Sequence, residues 1–286
     1  MSGHEVAVVT DSTAYIPAEA LDGLDIPVIP LWLIWGDERF RDGVDIDPPT
    51  FYQRLRKCKA FPTTSQPSAG EFADFFRRVA DERGTRSIVA VHISSGISGT
   101  VASAEAAKMQ LPELDVAVVD SFSTAMGLGF IALDAARVAA AGGSSEDVVA
   151  AVEQVQERLN ILFVVDTLEY LHRGGRIGGA KRLLGTALNI KPLLHLEDGR
   201  VDALTQVRTK RKAIARMLEI AEERLGGKRM ARAAVIDVDN SKEGDAVAEL
   251  VADHFGVSPV YRTAVSPVIG AHAGPGTVGL CFCTGD

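Results

Sequence analysis

The chain has 286 residues, 47% of them hydrophobic and 24% charged, with a net charge of −8. That length suits about two domains, and the composition excludes wholesale disorder. Three cysteines, Cys58, Cys281 and Cys283, are too few for a secreted disulfide framework and form no C-x-x-C, so no structural zinc is expected.

Residues 6–9, 87–93 and 116–119 are short runs rich in Val and Ile, the pattern of buried strands. Helical patterns cover 69–83, 100–109 and 125–141. Gly142-Gly143-Ser144-Ser145 then breaks the chain, and Ser145 is placed to cap a helix over 146–159, with Glu146 and Asp147 at its positive end. A strand over 161–165 leads to a short helix stopped at Gly174-Gly175, a helix over 180–188 and a strand over 190–196. Glu197-Asp198-Gly199 joins that strand to 200–207 as a hairpin. A helix over 210–225, a strand over 233–238, a helix over 242–255 and strands near Val260 and Val278 follow.

Strands alternating with helices imply a mainly parallel sheet in the first half; a hairpin combined with βαβ units implies a mixed sheet in the second. The expected architecture is two-domain α/β, divided near Asn160 into 1–160 and 161–286. Without repeats, low-complexity tracts or a Pro/Gly-rich linker, the two parts are expected to pack closely. Apolar stretches such as 26–35 fall far short of the ~20 residues that span a bilayer. The start shows no basic region followed by an apolar one, so no secretory signal is expected. A cytoplasmic protein without stable membrane insertion is the expectation.

Serine and threonine gather in four clusters: Thr10-Asp11-Ser12-Thr13, Thr63-Thr64-Ser65-Gln66-Pro67-Ser68, Ser94-Ser95-Gly96-Ile97-Ser98-Gly99-Thr100 and Asp120-Ser121-Phe122-Ser123-Thr124. Three of them follow predicted strands, and ligands of open parallel sheets bind at the carboxyl ends of strands. Hydroxyls donate hydrogen bonds to an anion without adding charge, and the start of a helix at Ser98 to Thr100 adds free N–H groups. The pattern describes a cradle for a carboxylate or phosphate, although each cluster taken singly also suits a helix cap. No lysine lies in the clusters, Asp11 and Asp120 are their only acids, and no His adjoins them, which lowers the odds of hydrolysis.

Gly274-Pro275-Gly276-Thr277-Val278-Gly279 matches G-x-G-x-x-G but lies too near the end for a dinucleotide site, and no G-x-x-x-x-G-K-[ST] occurs. Thr100 stands where the second glycine of G-x-S-x-G around Ser98 would be. His92, His172 and His195 lack metal-ligand spacing, and His272 beside the glycine loop is a structural hydrogen-bonder or a site residue. No metal or other cofactor is expected. Trp32 and Trp35 are read as core or pocket wall. From Arg173 to Arg216 there are eleven Lys/Arg against three Asp/Glu, a local +8 in an acidic chain. Solvated surface and a docking or phosphate-contact face are equally compatible with it. The acidic balance elsewhere argues against nucleic acid.

Taken in order, the stretches TDST (10–13), TTSQP (63–67), SSGISGT (94–100), Asp120-Ser121, GGRI (174–177), NIKP (189–192), VRTK (207–210) and HAGPG (272–276) resemble the DegV family of bacterial fatty-acid-binding proteins. The resemblance implies a two-domain α/β protein holding one long-chain fatty acid between its domains. It places the carboxylate on Thr64 and Ser98, with Ser95 and His272 as neighbours. It further implies an acyl-binding subunit of a fatty acid kinase, not itself an enzyme. A separate ATP-binding subunit would phosphorylate the carboxylate to an acyl phosphate that feeds phospholipid synthesis. The basic segment is then the expected docking face, through Arg173 and Arg176 and secondarily Arg208 and Lys210. The alternative is a free-standing serine-dependent lipid or ester hydrolase using Ser98 or Ser95.

Overall fold

The computed structural model describes residues 6–58, 60–185 and 190–285. The first half runs β1 (Ala7–Asp11), α1 (Ala18–Leu21), β2 (Val28–Ile29), β3 (Trp32–Trp35), β4 (Glu38–Arg41), α2 (Pro48–Lys57), β5 (Thr63–Ser65), α3 (Ala69–Arg83), β6 (Ser87–His92), α4 (Thr100–Lys108), β7 (Asp115–Asp120), α5 (Ala125–Ala140) and α6 (Ser145–Gln156). The second runs β8 (Leu159–Val164), α7 (Glu169–Arg173), β9 (Lys191–Glu197), β10 (Arg200–Val207), α8 (Lys210–Leu225), β11 (Met230–Asp237), α9 (Ser241–Phe255), β12 (Val260–Ala264), α10 (Pro267–Ala273) and β13 (Val278–Thr284).

The first sheet is parallel, in the order β2-β1-β6-β7. Both of its faces are covered. Val8, Val89 and Val91 point to one core, while Val9, Ile88 and Ala90 pack with Phe72 and Phe76 of α3 and Ala104 of α4 in another. That two-sided burial is why its strands are continuous apolar runs. The second sheet is mixed, β10-β9-β8-β13-β11-β12, antiparallel except for β11 beside β12. Here too the side chains alternate. Ile161 and Phe163 of β8 face the first core, and Leu162 and Val164 face one shared with Met217 of α8 and Val251 of α9.

Between the two sheets lies α5. Met126, Leu128, Phe130 and Ile131 are fully buried, and the helix is apolar all round as far as Leu133 because it has a sheet on each side. Its Asp134 is gripped by both terminal nitrogens of Arg232 on β11, at 2.7 and 2.6 Å, while that guanidinium lies 4.8 Å from the Phe130 ring centre. Two further ties join the halves. Tyr52 of α2 donates to the Val265 carbonyl (2.8 Å), and Ser94 donates to the Gly199 carbonyl at the tip of the β9–β10 hairpin (2.8 Å).

The hairpin, α8 and α3 lie where the sequence puts them. Asp198 (φ 47°) and Gly199 (φ 72°) both take the left-handed conformation of a tight hairpin turn. Other boundaries shift. The cap of α6 is Ser144, in a reciprocal box with Asp147, and Ser145 is already helical. The helix ends at Gln156 because Leu159 is taken up pairing with Cys283 in the mixed sheet. The helix expected over 180–188 is a 3-10 turn, Gly178–Leu183; residues 186–188, and Asn189 of NIKP, lie outside the described residues. A small antiparallel sheet, β4-β3-β5, was not expected from the sequence, nor was α10. Trp35 is core, and neither it nor Trp32 lines the main cavity.

Gly127 lets α5 approach β8: a methyl group built on it would collide with Ser123 Oγ and Ile161 Cδ1. Glycine to alanine inside a helix ordinarily stabilises by about 0.5–1 kcal/mol. Here overpacking, at about 1–3 kcal/mol, exceeds that gain. Gly127→Ala is therefore expected to lower the urea midpoint, and an unchanged or higher midpoint would contradict the close approach.

Candidate functional site

The C-terminal ends of the parallel strands, β5, α10 and the inner face of the mixed sheet surround the main cavity. It holds about 880 Å³ of atom-free space, part of it open to solvent. Its walls are largely apolar, with Leu31, Ile93, Ile161, Phe163, Ile236 and Val268 among them; Thr64, Ser98, Arg176 and His272 supply polar groups.

Each polar group has a structural reason for its position. Thr64 sits on β5 opposite Leu33 of β3. Ser98 follows a turn in which Ile97 N–H and Ser98 N–H both donate to the Ser94 carbonyl, and its hydroxyl lies 2.8 Å from that of buried Thr100. His272 is on α10, whose cap is Ser266 and whose first residue is Pro267. Gly174 passes directly under the imidazole, and any side chain there would strike Nδ1. Arg176 donates from Nε to the Ile97 carbonyl (3.0 Å) and from Nη1 to the Gly174 carbonyl (2.8 Å). No carboxylate among the described residues pairs with it, so a half-buried positive charge stands in the wall.

His272 Nε2 lies 2.8 Å from Thr64 Oγ1, and its buried Nδ1 has no partner. Burial, helped by the Arg176 charge, pushes the imidazole down to about 4. It is therefore neutral near pH 7 and carries one proton. A proton on Nδ1 would be a buried N–H without an acceptor, the more costly arrangement. The hydrogen-bond network thus assigns the proton to Nε2, donating to Thr64 Oγ1. The Thr64 hydroxyl proton is then free for an acceptor in the cavity.

The TDST cluster, expected at the ligand, is instead a strut behind the wall; none of its four residues lines the main cavity. Asp11 accepts from Thr13 N–H (3.0 Å), Thr13 O–H (2.6 Å) and Ile93 N–H (2.8 Å). Asp42 accepts from Ser12 (2.8 Å) and sits beside Ser266 and the Val268 N–H at the start of α10. Burial raises the Asp42 carboxyl to about 7, against these polar neighbours and with the Asp11 charge adding to it. Thr10, Asp11, Ser12 and Asp42 line a separate cavity.

Among the residues singled out in the sequence, Thr64, Ser98 and His272 come together. Ser95 does not: it is exposed, and its N–H donates to the Asp120 carboxylate at 3.2 Å. Arg176 was expected on a docking face, and two backbone carbonyls turn it into the cavity wall. Lys210 is drawn in as well, donating to Asp166 (3.1 Å) and to the Gly276 carbonyl. Arg173 pairs with Glu169 (2.6 Å) and lies 4.1 Å from the Phe61 ring centre, while remaining half exposed. Arg208 is exposed. Lys191 with Asp166, Arg182 with Asp202, and Arg216 with Glu219 and Glu223 neutralise more of the basic segment.

The family model for DegV, described as "Uncharacterised protein, DegV family", matches residues 5–285. A DegV domain-containing protein of Streptomyces coelicolor is 44% identical over 281 residues, covering 98% of each chain. Two solved structures are similar throughout. One, from Thermus thermophilus, is described as showing fatty acid binding of a DegV family protein; it has a TM-score of 0.90 at 36% identity and covers 98% of this chain and 99% of its own. The other, DegV of Bacillus subtilis, described as a fatty acid binding protein, has a TM-score of 0.90 at 35% identity over 99% and 100%.

His272 and Asp42 titrate with opposite effects on stability. Unfolding lets the imidazole bind a proton between about 4 and 6.5, so its contribution grows as pH rises through that window. The native Asp42 carboxyl keeps its proton up to about 7, whereas the unfolded one loses it near 3.8, so its contribution shrinks as pH rises between them. Relative to the wild type, Asp42→Asn should make stability rise more steeply with pH from about 4 to 7, and His272→Gln should make it fall. Melting temperatures across that range check both; parallel curves for all three proteins would remove the assignments.

Proposed function

The chain belongs to the DegV family, and on that premise we propose that it binds a long-chain fatty acid in the main cavity, between the two sheets, with the carboxylate at Thr64, Ser98, Arg176 and His272. The observation that carries this reading is the Arg176 guanidinium, without a carboxylate partner among the described residues, in the wall of a largely apolar cavity that the Thr64 and Ser98 side chains also line. Burying a carboxylate is costly unless it is paired and hydrogen-bonded. Arg176 supplies the opposite charge, while Thr64 and Ser98 supply O–H donors. His272 acts one step back, holding Thr64 in the donating orientation. Fatty-acid binding by the Thermus and Bacillus relatives supports the same reading.

We further propose that the protein presents this carboxylate to a separate ATP-binding kinase subunit, which forms the acyl phosphate for phospholipid synthesis. The polar groups bind an anion but include no activated nucleophile. Ser98 pairs with Thr100 and not with a base, and an imidazole held near 4 is a weak base, so serine hydrolysis finds no support. With Arg176 and Lys210 engaged internally, docking falls to exposed Arg208 and to the outer face of Arg173. The proposed setting is the cytoplasm, which suits three free thiols. Among the described residues no helix is long and apolar enough to cross a membrane.

Native mass spectrometry of the purified chain should show a co-purifying long-chain acid. Hydrogen bonds to a charged group contribute about 1.5–3 kcal/mol each, so Ser98→Ala and Arg176→Ala should each weaken binding roughly ten- to a hundredfold by titration calorimetry. Wild-type protein that takes up no fatty acid, or variants that bind it normally, would defeat the reading. Acyl phosphate should form only when the kinase subunit and ATP are added, and Arg208→Ala should slow that step, more so as salt is raised.

A further inference from the structure

The start of α5 is not used by the carboxylate site. Thr124 lines the main cavity, yet its buried Oγ1 has no hydrogen-bond partner and does not cap its own helix. The Gly127 and Leu128 N–H groups both donate to the Thr124 carbonyl, at 3.1 and 3.2 Å. The N–H groups of Ala125 and Met126 have no acceptor among the described residues. Beside them Ser123, only 1% exposed, holds a second unpartnered hydroxyl against the first turn at Gly127. The unpartnered Thr124 hydroxyl and the positive end of a 16-residue helix therefore meet at the wall of the main cavity, while Ser123 lines the neighbouring pocket with Phe122 and Gln156. Buried polar groups are ordinarily satisfied, and each one left bare costs stability.

We propose that the N-terminus of α5, with Thr124, is a second polar subsite that takes an oxygen carried part-way along the acyl chain, so that the ligands include hydroxy or keto fatty acids. The inference rests on the fatty-acid reading and adds the substrate class. A neutral oxygen suits the place better than a second carboxylate: the helix end offers N–H donors and a partial charge, but no full counter-charge such as Arg176 provides. A hydroxyl can accept from a helix N–H and exchange a hydrogen bond with Thr124. A plain chain leaves all of these groups unpaired or hydrated.

The test is a panel of positional monohydroxystearates against stearate, titrated into the full chain by calorimetry. A hydroxyl buried without a partner should weaken binding by roughly tenfold. At least one interior isomer should escape that loss and bind the wild type no more weakly than stearate. Thr124→Val should make the same isomer roughly tenfold weaker relative to stearate, and Thr124→Ser should restore it. The proposal fails if every isomer binds the wild type about tenfold or more below stearate, or if Thr124→Val leaves the ratio unchanged. The wild-type panel decides even if Thr124→Val does not fold. Wild type that binds neither stearate nor any isomer would instead strike down the fatty-acid reading beneath it.

Discussion

The burial of α5 from Ala125 to Leu133 is the constraint on which the rest of the molecule depends. A helix with no polar face is stable only when something apolar covers it on every side. One side is covered by β1 and β6, the other by β8, β11 and β13, so neither sheet's inner face can be polar. Each large side chain buried along it contributes about 1.5–3 kcal/mol, offset by the entropy of ordering it. Asp134 and the exposed Arg137 are the exceptions, and pairing with both Arg232 and Arg137 keeps the part-buried Asp134 carboxylate from being an orphan. Where α5 begins, the two sheets no longer have a helix to fill the space between them, and Thr124 and Ala125 become cavity wall.

The parts of this fold legible in the sequence are those whose signal is local. α3 announces itself by Ser68 and Glu71 in a capping box followed by Phe72, Phe75 and Phe76 on one face, and the β9–β10 hairpin by Asp198-Gly199. The β4-β3-β5 sheet gives no such signal. Its strands are three or four residues long, and Glu38 to Arg41 is mostly solvent-facing, so no alternation betrays it. Thr64 and Ser98 were legible as hydroxyl donors, because a polar residue type in a glycine-rich or proline-flanked loop is a chemical statement in itself. The TDST strut has the same chemistry, and only Asp42, thirty residues from its partner Ser12, decides that it supports the wall and not the ligand.

Arg176 shows the opposite limit. Counting charge along a segment treats every arginine as solvated, yet the acceptor that turns this one inward is the carbonyl of Ile97, 79 residues earlier. Lys210 is captured in the same way by Asp166 and Gly276, 44 and 66 residues away. A linear excess of positive charge thus became, in three dimensions, one cationic wall, one internal clamp and several local ion pairs. What reaches the surface is far less positive than the sequence suggests, so long-range attraction of a partner rests on few residues.

The strand order of the mixed sheet bears on how the molecule is made. β13, the last strand in chain order among the described residues, lies in the middle of that sheet, between β8 and β11. During synthesis on the ribosome, every other strand leaves the exit tunnel before it. Until β13 is inserted, β8 and β11 each present an open edge, and one flank of α5 is uncovered. A nascent chain stalled at that point exposes both apolar surface and unpaired backbone, the two features that make intermediates aggregate. The second half of this protein therefore cannot close gradually as it emerges; its completion waits on a single late event.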